Sequence, residues 1–342
     1  MELMSCEPGI RHAFSPPLSK HSSRIPNHSN GESMHVLVLA DMEGISQITS
    51  YEELIPMWPA YWEQGRAKMT ADVLAAVEGL LAGGATKVTV HDGHGSGARN
   101  IIEDQLPAGV AVVGFGEHDR MVRAGEIDAT FQVGRHARRG SNSFASHTMV
   151  PYFAATIDGH PITESHYEAY RSGVPLLGIT GDETLAEQID QGLAGTPYLV
   201  VKHSRGRTEA VPAHATPEES AAAIRDFARE CIQHAAERKV PSVPTPFRFE
   251  ASMQAEAAAM ALGREGLETV SPTVVGREIS DWWGEFEPAF MAAIFARYPG
   301  VTEIPEADPD MHAKIAAASD EQLAAGRAQV VAWLEAQETH WD

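Results

Sequence analysis

Short apolar runs and helically spaced segments alternate along most of the chain. Four runs of β-forming residues end in polar residues or glycine and are separated by helical segments: 35–40, 86–91, 110–115 and 129–133. Between the first two, apolar positions recur at helical spacing over 69–81, and the glycines at 83–84 provide a stop. This alternation of strands and helices predicts a mainly parallel sheet with helices on both faces.

The alternation of strands and helices continues in the second half of the chain. Further strands are predicted at Tyr152–Asp158, Val174–Thr180 and Pro197–His203. The segment 216–219 (TPEE) is typical of a capping box with proline at the first helical position, and it predicts a long helix to about residue 239. We therefore expect an α/β fold, with a mainly parallel doubly wound sheet and a smaller C-terminal α+β part.

The composition of the segments predicts four units. Residues 1–33 are rich in Ser, Pro, His and Asn without periodicity and are expected to be a disordered extension. An α/β domain over 34–240 is expected to end at the proline-rich stretch that begins there, and an α+β subdomain follows over 241–300. Residues 301–342 form an acidic tail with one predicted amphipathic helix, about Glu321–Gln337.

Charge and cysteine content exclude several classes of function. The 342-residue chain has a net charge of −21, which argues against nucleic acid and anionic membranes as partners. Two cysteines cannot provide a disulfide framework or a thiolate zinc cluster, so any metal must be held by histidine and carboxylate. No apolar run approaches the roughly 20 residues of a membrane span, and no signal-peptide pattern is present. A cytoplasmic location is expected.

Metal-ligand residue types follow three of the predicted strands. Asp41 and Glu43 come after the first strand, His94 after the second, and His136 after the fourth. Because the carboxyl ends of parallel strands meet at one edge of a sheet, we expect these side chains to lie together. Imidazole and carboxylate are suitable ligands for Zn²⁺ or Mn²⁺. Each position alone is a weak signal, because a histidine or aspartate at a strand end more often has a local structural role.

Five motifs occur in the order found in the D-aminopeptidase family of M55 metallopeptidases, which this chain resembles over roughly residues 34–298. These motifs are DMEGIS (41–46), HDGHG (91–95), GRHA (134–137), SHTM (146–149) and PITE (161–164). The resemblance implies a di-zinc hydrolase, with Mn²⁺ as the other possible metal, that releases N-terminal D-residues from short peptides. It also implies a ring-shaped homo-oligomer, a pentamer or decamer, with its sites facing an interior channel.

The resemblance also implies roles for six residues. The metal ligands carried over are Asp41, Glu43, His94, His136 and Glu164, with Asp41 bridging two ions. His147 matches the family's catalytic histidine and is expected to shuttle a proton between the attacking water and the leaving amine. Without the resemblance, His147 would be interpreted as a loop histidine that bonds to the backbone.

The residues after Glu164 depart from the family pattern. Glu164 is followed by Ser165-His166-Tyr167-Glu168, whereas the family usually has Leu or Ile and then Gly-Leu-Asn. This change leaves open a related small amide as the substrate, so that amidohydrolase is the broader expectation.

Two other classes of function fit parts of the sequence. Gly93–Ala98 matches the G-x-G-x-x-A pattern of a dinucleotide-binding loop, with Glu117 after the next strand as the ribose-binding acid of an NAD(P)-dependent oxidoreductase. This hypothesis leaves the DMEGIS and GRHA motifs without a role. The second alternative is a non-catalytic metal-binding protein of the same fold.

Overall fold

The computed structural model describes residues 33–189, 192–298 and 300–338, with side chains up to residue 332. The strands in this part are β1 His35–Ala40, β2 Lys87–Asp92, β3 Ala111–Val113, β4 Ala129–Arg135, β5 Phe153–Ile157, β6 His160–Pro161, β7 Leu176–Asp182, β8 Tyr198–Ser204, β9 Ala210–Pro212, β10 Phe247–Met253, β11 Glu268–Ser271 and β12 Val274–Ile279. The α-helices are α1 Pro59–Gly83, α2 Phe115–Ala124, α3 Glu164–Ser172, α4 Glu183–Gln188, α5 Pro217–Gln233, α6 Ala255–Ala261, α7 Glu287–Ile294, α8 Met311–Ala317 and α9 Asp320–Glu338.

The larger sheet carries the candidate ligands. Its strand order is β3-β2-β1-β4-β7-β8-β9, parallel throughout except for β9 at one edge. Val36 and Val38 of β1 share one apolar core with α1 and α5, whereas Leu37 and Leu39 pack with Met121 of α2. Both faces of β1 are thus covered by helices, which explains its unbroken apolar sequence. The predicted doubly wound α/β fold is confirmed.

The smaller sheet is antiparallel, in the order β11-β12-β10-β5-β6. Every second residue of β10 is buried, so one face of the sheet packs on an aromatic core that includes Phe249, Phe286 and Phe290. The prediction that Tyr152–Asp158 continues the parallel sheet is wrong, because β5 pairs antiparallel with β10, with Ala155 opposite Ala251. Strand periodicity predicts which residues are buried but does not identify the partner strand.

Two local predictions also differ from the structure, and one helix was not predicted. The sequence pattern predicts a short helix over 101–106 and a single strand near 269–279, whereas the structure has one 3₁₀ turn at Glu103–Gln105 and the β11–β12 hairpin. In the tail, the predicted helix is α9, and the preceding α8 was not predicted.

The predicted domain boundaries stay a prediction. Residues 153–161 lie within the predicted α/β domain but add two strands to the smaller sheet. Of the predicted disordered extension, residues 1–32 lie outside the described residues. No helix in the described part of the chain has both the length and the apolar composition needed to cross a membrane.

The close contact of α1 and α5 depends on a glycine. A Cβ atom on Gly79 would lie 2.2 Å from the Arg225 carbonyl oxygen and 2.9 Å from Ala228 Cβ. We therefore expect Gly79→Ala to lower the free energy of unfolding by about 1–2 kcal/mol, because overpacking outweighs the gain in helix propensity. Urea unfolding measures the change, with Leu81→Ala on the exposed side of the same helix as control. Equal or higher stability of Gly79→Ala would contradict this packing.

Candidate metal centre

The turn after β1 is held against the end of β4 by two backbone hydrogen bonds. The Asp41 N–H donates to the Val133 carbonyl at 2.9 Å, and the Gly44 N–H donates to the Gly134 carbonyl at 2.8 Å. A Cβ on Gly44 would lie 2.0 Å from the Arg135 carbonyl oxygen, and Gly134 has a φ of +74°. These glycines allow the two strand ends to approach closely, which brings the carboxylates of one to the histidine of the other.

The five predicted ligands lie together around Asp41. Its Oδ1 is 3.4 Å from His94 Nδ1, and its Oδ2 is 3.5 Å from His136 Nε2. On the first side, Glu43 Oε2 is 3.2 Å from His94 Nδ1; on the second, Glu164 Oε2 is 3.7 Å from His136 Nε2. The structure thus forms two compact triads that share Asp41.

His147 lies over the second triad. Its ring stacks on that of His136 with centroids 4.3 Å apart, and its Nε2 is 3.7 Å from Glu164 Oε1. The residues two positions before and after it, Ala145 and Met149, have φ values of 49° and 56°. Positive φ at non-glycine residues costs of the order of 1 kcal/mol or more each and is concentrated at functional sites. The strained turn presents the His147 ring to the carboxylates.

Hydrogen bonds to backbone carbonyls fix the orientation of all three imidazoles. His94 Nε2 lies 3.0 Å from the Leu54 carbonyl, His136 Nδ1 lies 2.9 Å from the Ala137 carbonyl, and His147 Nδ1 lies 2.9 Å from the Ala145 carbonyl. A carbonyl oxygen only accepts, so each of these nitrogens carries the proton. The opposite nitrogen of each ring faces carboxylate oxygens, which is the arrangement typical of histidines that bind a metal.

The electrostatics of the cluster favour added positive charge. Burial alone would raise the pKa of Asp41, but the neighbouring imidazoles of His136 and His94 and the charge of Arg135 hold it well below its usual range. Burial alone would lower the pKa of His94, but Glu43 and Asp41 raise it well above its usual value. Either a proton or a metal ion can satisfy these nitrogens, and binding of a metal releases the protons.

The side-chain atoms gathered at this site are of the types that bind metal ions. Two imidazole nitrogens and three carboxylates are ligands that zinc prefers, and Asp41 and Glu43 are 4% and 5% exposed. His136 Nε2 is fully buried and has no hydrogen-bond partner within the described residues. A cation held by these residues would offset the repulsion among the carboxylates and would satisfy this nitrogen.

Other residues at the strand ends have structural roles. Asp92 accepts hydrogen bonds from the Asn100 backbone at 2.7 Å and its side chain at 2.9 Å, which shapes the loop after β2. His91 stacks on His118, and burial lowers its pKa to about 3.

The residues after Glu164, which depart from the family pattern, are packed inside the protein. His166 interacts with Thr163 at the start of α3. The Tyr167 hydroxyl donates to the Glu287 carboxylate at 2.9 Å. Ser165, His166 and Tyr167 are all buried.

Sequence reasoning missed two cations at the site. Arg135 Nη1 lies 3.4 Å from Asp41 Oδ2, and Lys202 Nζ donates to the Glu43 carbonyl at 2.6 Å. Lys202 is fully buried, and burial lowers its pKa to about 7. A lysine inside an apolar strand was the available signal for Lys202, and Arg135 lies next to His136 in the GRHA motif.

Residues 34–290 match the M55 peptidase family, described as D-aminopeptidase. The chain belongs to this family. The match confirms the predicted family and the predicted enzyme class, a metal-dependent hydrolase of the aminopeptidase type. Comparison with curated proteins gives no match.

A solved structure also resembles the chain, the Zn-dependent D-aminopeptidase DppA from Bacillus subtilis, described as a self-compartmentalizing protease. The similarity covers 78% of this chain and 98% of that one, with 21% identity and a TM-score of 0.69. At this level of sequence identity, the similarity shows that the two proteins share a fold. The M55 match ends before the tail, which contains α8 and α9.

The dinucleotide-binding hypothesis finds no support in the structure. Gly93–Ala98 carries His94 into the cluster and is followed by an irregular segment and the 3₁₀ turn at Glu103–Gln105. A dinucleotide site needs an α-helix at this point, because the N–H groups of its first turn bind the pyrophosphate.

Lys202 provides a test of the buried charge balance beside the site. Lys202→Met removes the ammonium from the neighbourhood of the buried carboxylates of Asp72 and Asp182. We expect the free energy of unfolding to fall by about 3 kcal/mol, because one partner of a buried charge network is removed. Urea unfolding measures this loss, and Lys87→Met, at an exposed position of β2, is the matched control. Equal losses in the two variants would refute the role given to Lys202.

Proposed function

We propose that this protein is a di-zinc D-aminopeptidase that releases N-terminal D-residues from short peptides. The observation that carries the proposal is the orientation of His94 and His136, because His94 Nδ1 and His136 Nε2 face opposite oxygens of Asp41. Such an arrangement is stable when each nitrogen binds a cation and the carboxylate bridges the two. The family membership supports the aminopeptidase class of reaction.

Each ion has its own triad in this proposal. The first is held by Asp41, Glu43 and His94, and the second by Asp41, His136 and Glu164. The three carboxylates offset most of the +4 charge of two zinc ions, and Mn²⁺ is the other candidate metal. The similar fold described as Zn-dependent supports zinc.

Two bound zinc ions would polarise the scissile carbonyl and make a water molecule acidic near neutral pH. The protein's part in the reaction is the transfer of a proton. His147 has Nδ1 fixed by the Ala145 carbonyl, and Nε2 faces the site beside Glu164. This nitrogen accepts the proton of the attacking water and donates it to the leaving amine as the C–O bond forms and the C–N bond breaks.

We favour peptides over other amides as substrates because the unusual residues after Glu164 are engaged in packing within the protein. His166 and Tyr167 are buried and contact Thr163 and Glu287. The self-compartmentalizing protease with the similar fold supports a ring-shaped homo-oligomer and small peptide substrates. The pentameric or decameric state and the cytoplasmic location are part of the proposal.

Metal content tests the two triads. Wild-type protein loaded with zinc and then desalted is expected to retain about two ions per chain by elemental analysis. Asp41→Ala should lose both ions, because each triad contains Asp41, whereas His94→Ala and His136→Ala should each lose mainly one. Asp104→Ala, at an exposed acidic position, is the control. Retention of one tightly bound ion by Asp41→Ala would show that Asp41 does not bridge.

Hydrolysis by His147 variants tests the mechanism and the substrate class. Metal-loaded enzyme is assayed on matched D- and L-aminoacyl dipeptides and amides. The D-series is expected to be cleaved faster. His147→Gln is expected to lower kcat by about 100-fold or more with the metal content retained, because a general acid–base group is lost. His160→Gln, at an exposed histidine, is the control.

Three results would decide against parts of this mechanism. Loss of metal in His147→Gln would make His147 a ligand, which its place beside Glu43 and His136 allows geometrically. Cleavage of L-peptides alone would overturn the stereospecificity. A wild-type protein that binds zinc but cleaves none of the substrates would support the non-catalytic alternative.

A further inference from the structure

The C-terminal segment follows the rim of the metal centre. Residues 302–338 lie beyond the part of the chain that matches the family. In chain order, this segment contacts the start of α2, the loop that carries His94, the first turn of α1 and Met57, and it shares a cleft with the 3₁₀ turn at Tyr51–Leu54. We call it the C-terminal clamp.

The first half of the clamp is bound to the loop 93–100. The Asp308 N–H donates to the Gly97 carbonyl at 3.0 Å, and His312 Nε2 lies 3.0 Å from the Arg99 carbonyl. The Met311 methyl lies directly over Gly97, 3.7 Å from where a Cβ would be. Just before these contacts, the Glu306 carboxylate accepts a hydrogen bond from the Gly116 N–H.

The second half of the clamp packs on the aromatic segment before and within α1. The His312 ring stacks on Trp62 with centroids 4.9 Å apart, and Arg327 Nε donates to the Met57 carbonyl at 2.9 Å. Gly326 approaches so closely that a Cβ there would lie 2.4 Å from Met57 Sδ. At its end, Val331 forms a wall of a cleft shared with Trp58.

His94 is held by the loop 93–100, which the clamp contacts, and by Leu54, three positions before the clamp contact at Met57. In the loop 93–100, the Asn100 amide donates to the His94 carbonyl at 3.0 Å. On the other side, His94 Nε2 donates to the Leu54 carbonyl at 3.0 Å. The loop has neither helix nor strand and contains glycines at 93, 95 and 97, so ordering it costs considerable conformational entropy.

We propose that the C-terminal clamp is a positioning element for His94, and that it raises the affinity of the ion bound by Asp41, Glu43 and His94. The inference rests on the proposed two-metal function. His136 and Glu164 come from the end of β4 and the start of α3, and none of the clamp contacts described above involves these elements. The effect is therefore selective for one of the two ions.

The mechanism is a reduction of the cost of ordering the His94 loop. Without the clamp, the Gly97 and Arg99 carbonyls lose hydrogen-bond partners on the tail, and the loop that carries His94 is held by fewer contacts. Loss of supporting contacts behind a metal ligand typically weakens metal affinity by about 10–100-fold.

Two clamp variants and a control test this proposal in the full-length protein. The double variant Met311→Ala/His312→Ala removes the contacts to Gly97, Arg99 and Trp62, and Gly326→Val pushes α9 away from Met57. Gln329→Ala is the control at an exposed position of α9. Zinc affinity at the two sites is measured by competition with chelators of graded strength. Hydrogen exchange of residues 93–100 is measured in metal-free protein.

Selective weakening of one ion is the expected result. Its dissociation constant should rise about tenfold or more in both clamp variants, while the other ion changes by less than about threefold and Gln329→Ala behaves as wild type. His94→Ala identifies the affected ion, because it should abolish the same binding step. Exchange of residues 93–100 should become faster in the clamp variants, because the loop loses its hydrogen-bond partners.

Two results would overturn the inference. Equal weakening of both ions would mean that the clamp acts through general stability, and unchanged zinc affinity together with unchanged exchange would mean that it does not act on His94. Failure of the proposed function would look different, because wild-type protein would then bind no zinc at either triad. In that case the exchange measurement in metal-free protein still decides whether the clamp orders the His94 loop.

Discussion

The constraint on which the rest of the site depends is the convergence of negative charge at one buried edge of the sheet. Asp41 lies within 3.5 Å of a nitrogen of both His94 and His136, Glu43 and Glu164 each lie beside one of these nitrogens, and water has little access to the group. In a region of low dielectric, such a group of acceptors is stable only if positive charge is close. Arg135 and Lys202 supply part of that charge, and protons or metal ions supply the rest.

The two sheets place different residues at this site. The parallel sheet brings Asp41, His94 and His136 together because β1, β2 and β4 are neighbours whose carboxyl ends meet. The antiparallel sheet delivers the fourth element, since β5 and β6 lead directly into α3 and its first residue is Glu164. Glu164 is fixed there by a 2.5 Å hydrogen bond from the Met149 N–H, which joins it to the strained turn of His147.

The tail gives this chain a feature outside the matched family region. The clamp is built from a few backbone hydrogen bonds and ring contacts of exposed or half-buried residues, not from a core of its own. Ile315 joins the core around β1 and α1, and Met311 and Val330 pack against that core. A segment bound in this way can order the loops around one candidate metal ligand without altering the fold that carries the other candidates.

The sequence by itself determined the fold class and the membership of the cluster. Burial on both faces of a parallel strand requires a continuous apolar run, and the polar residues after each run had to lie at one edge, so Asp41, Glu43, His94 and His136 could be grouped before the structure was known. Glu164 and His147 could be added only through the family resemblance, because neither follows a strand of that sheet.

The tertiary structure alone decided the pairing of β5 and the contacts of Lys202, Arg135 and the clamp. Strand pairing is a choice among partners with the same alternating pattern, and nothing local to residues 153–157 distinguishes the two sheets. The burial of Lys202 at the Glu43 carbonyl, 159 positions away, depends on the relative placement of β1 and β8. Likewise, the sequence pattern of residues 321–337 predicts a helix, but the position of α9 against Met57 and Trp58 arises from close packing between distant segments.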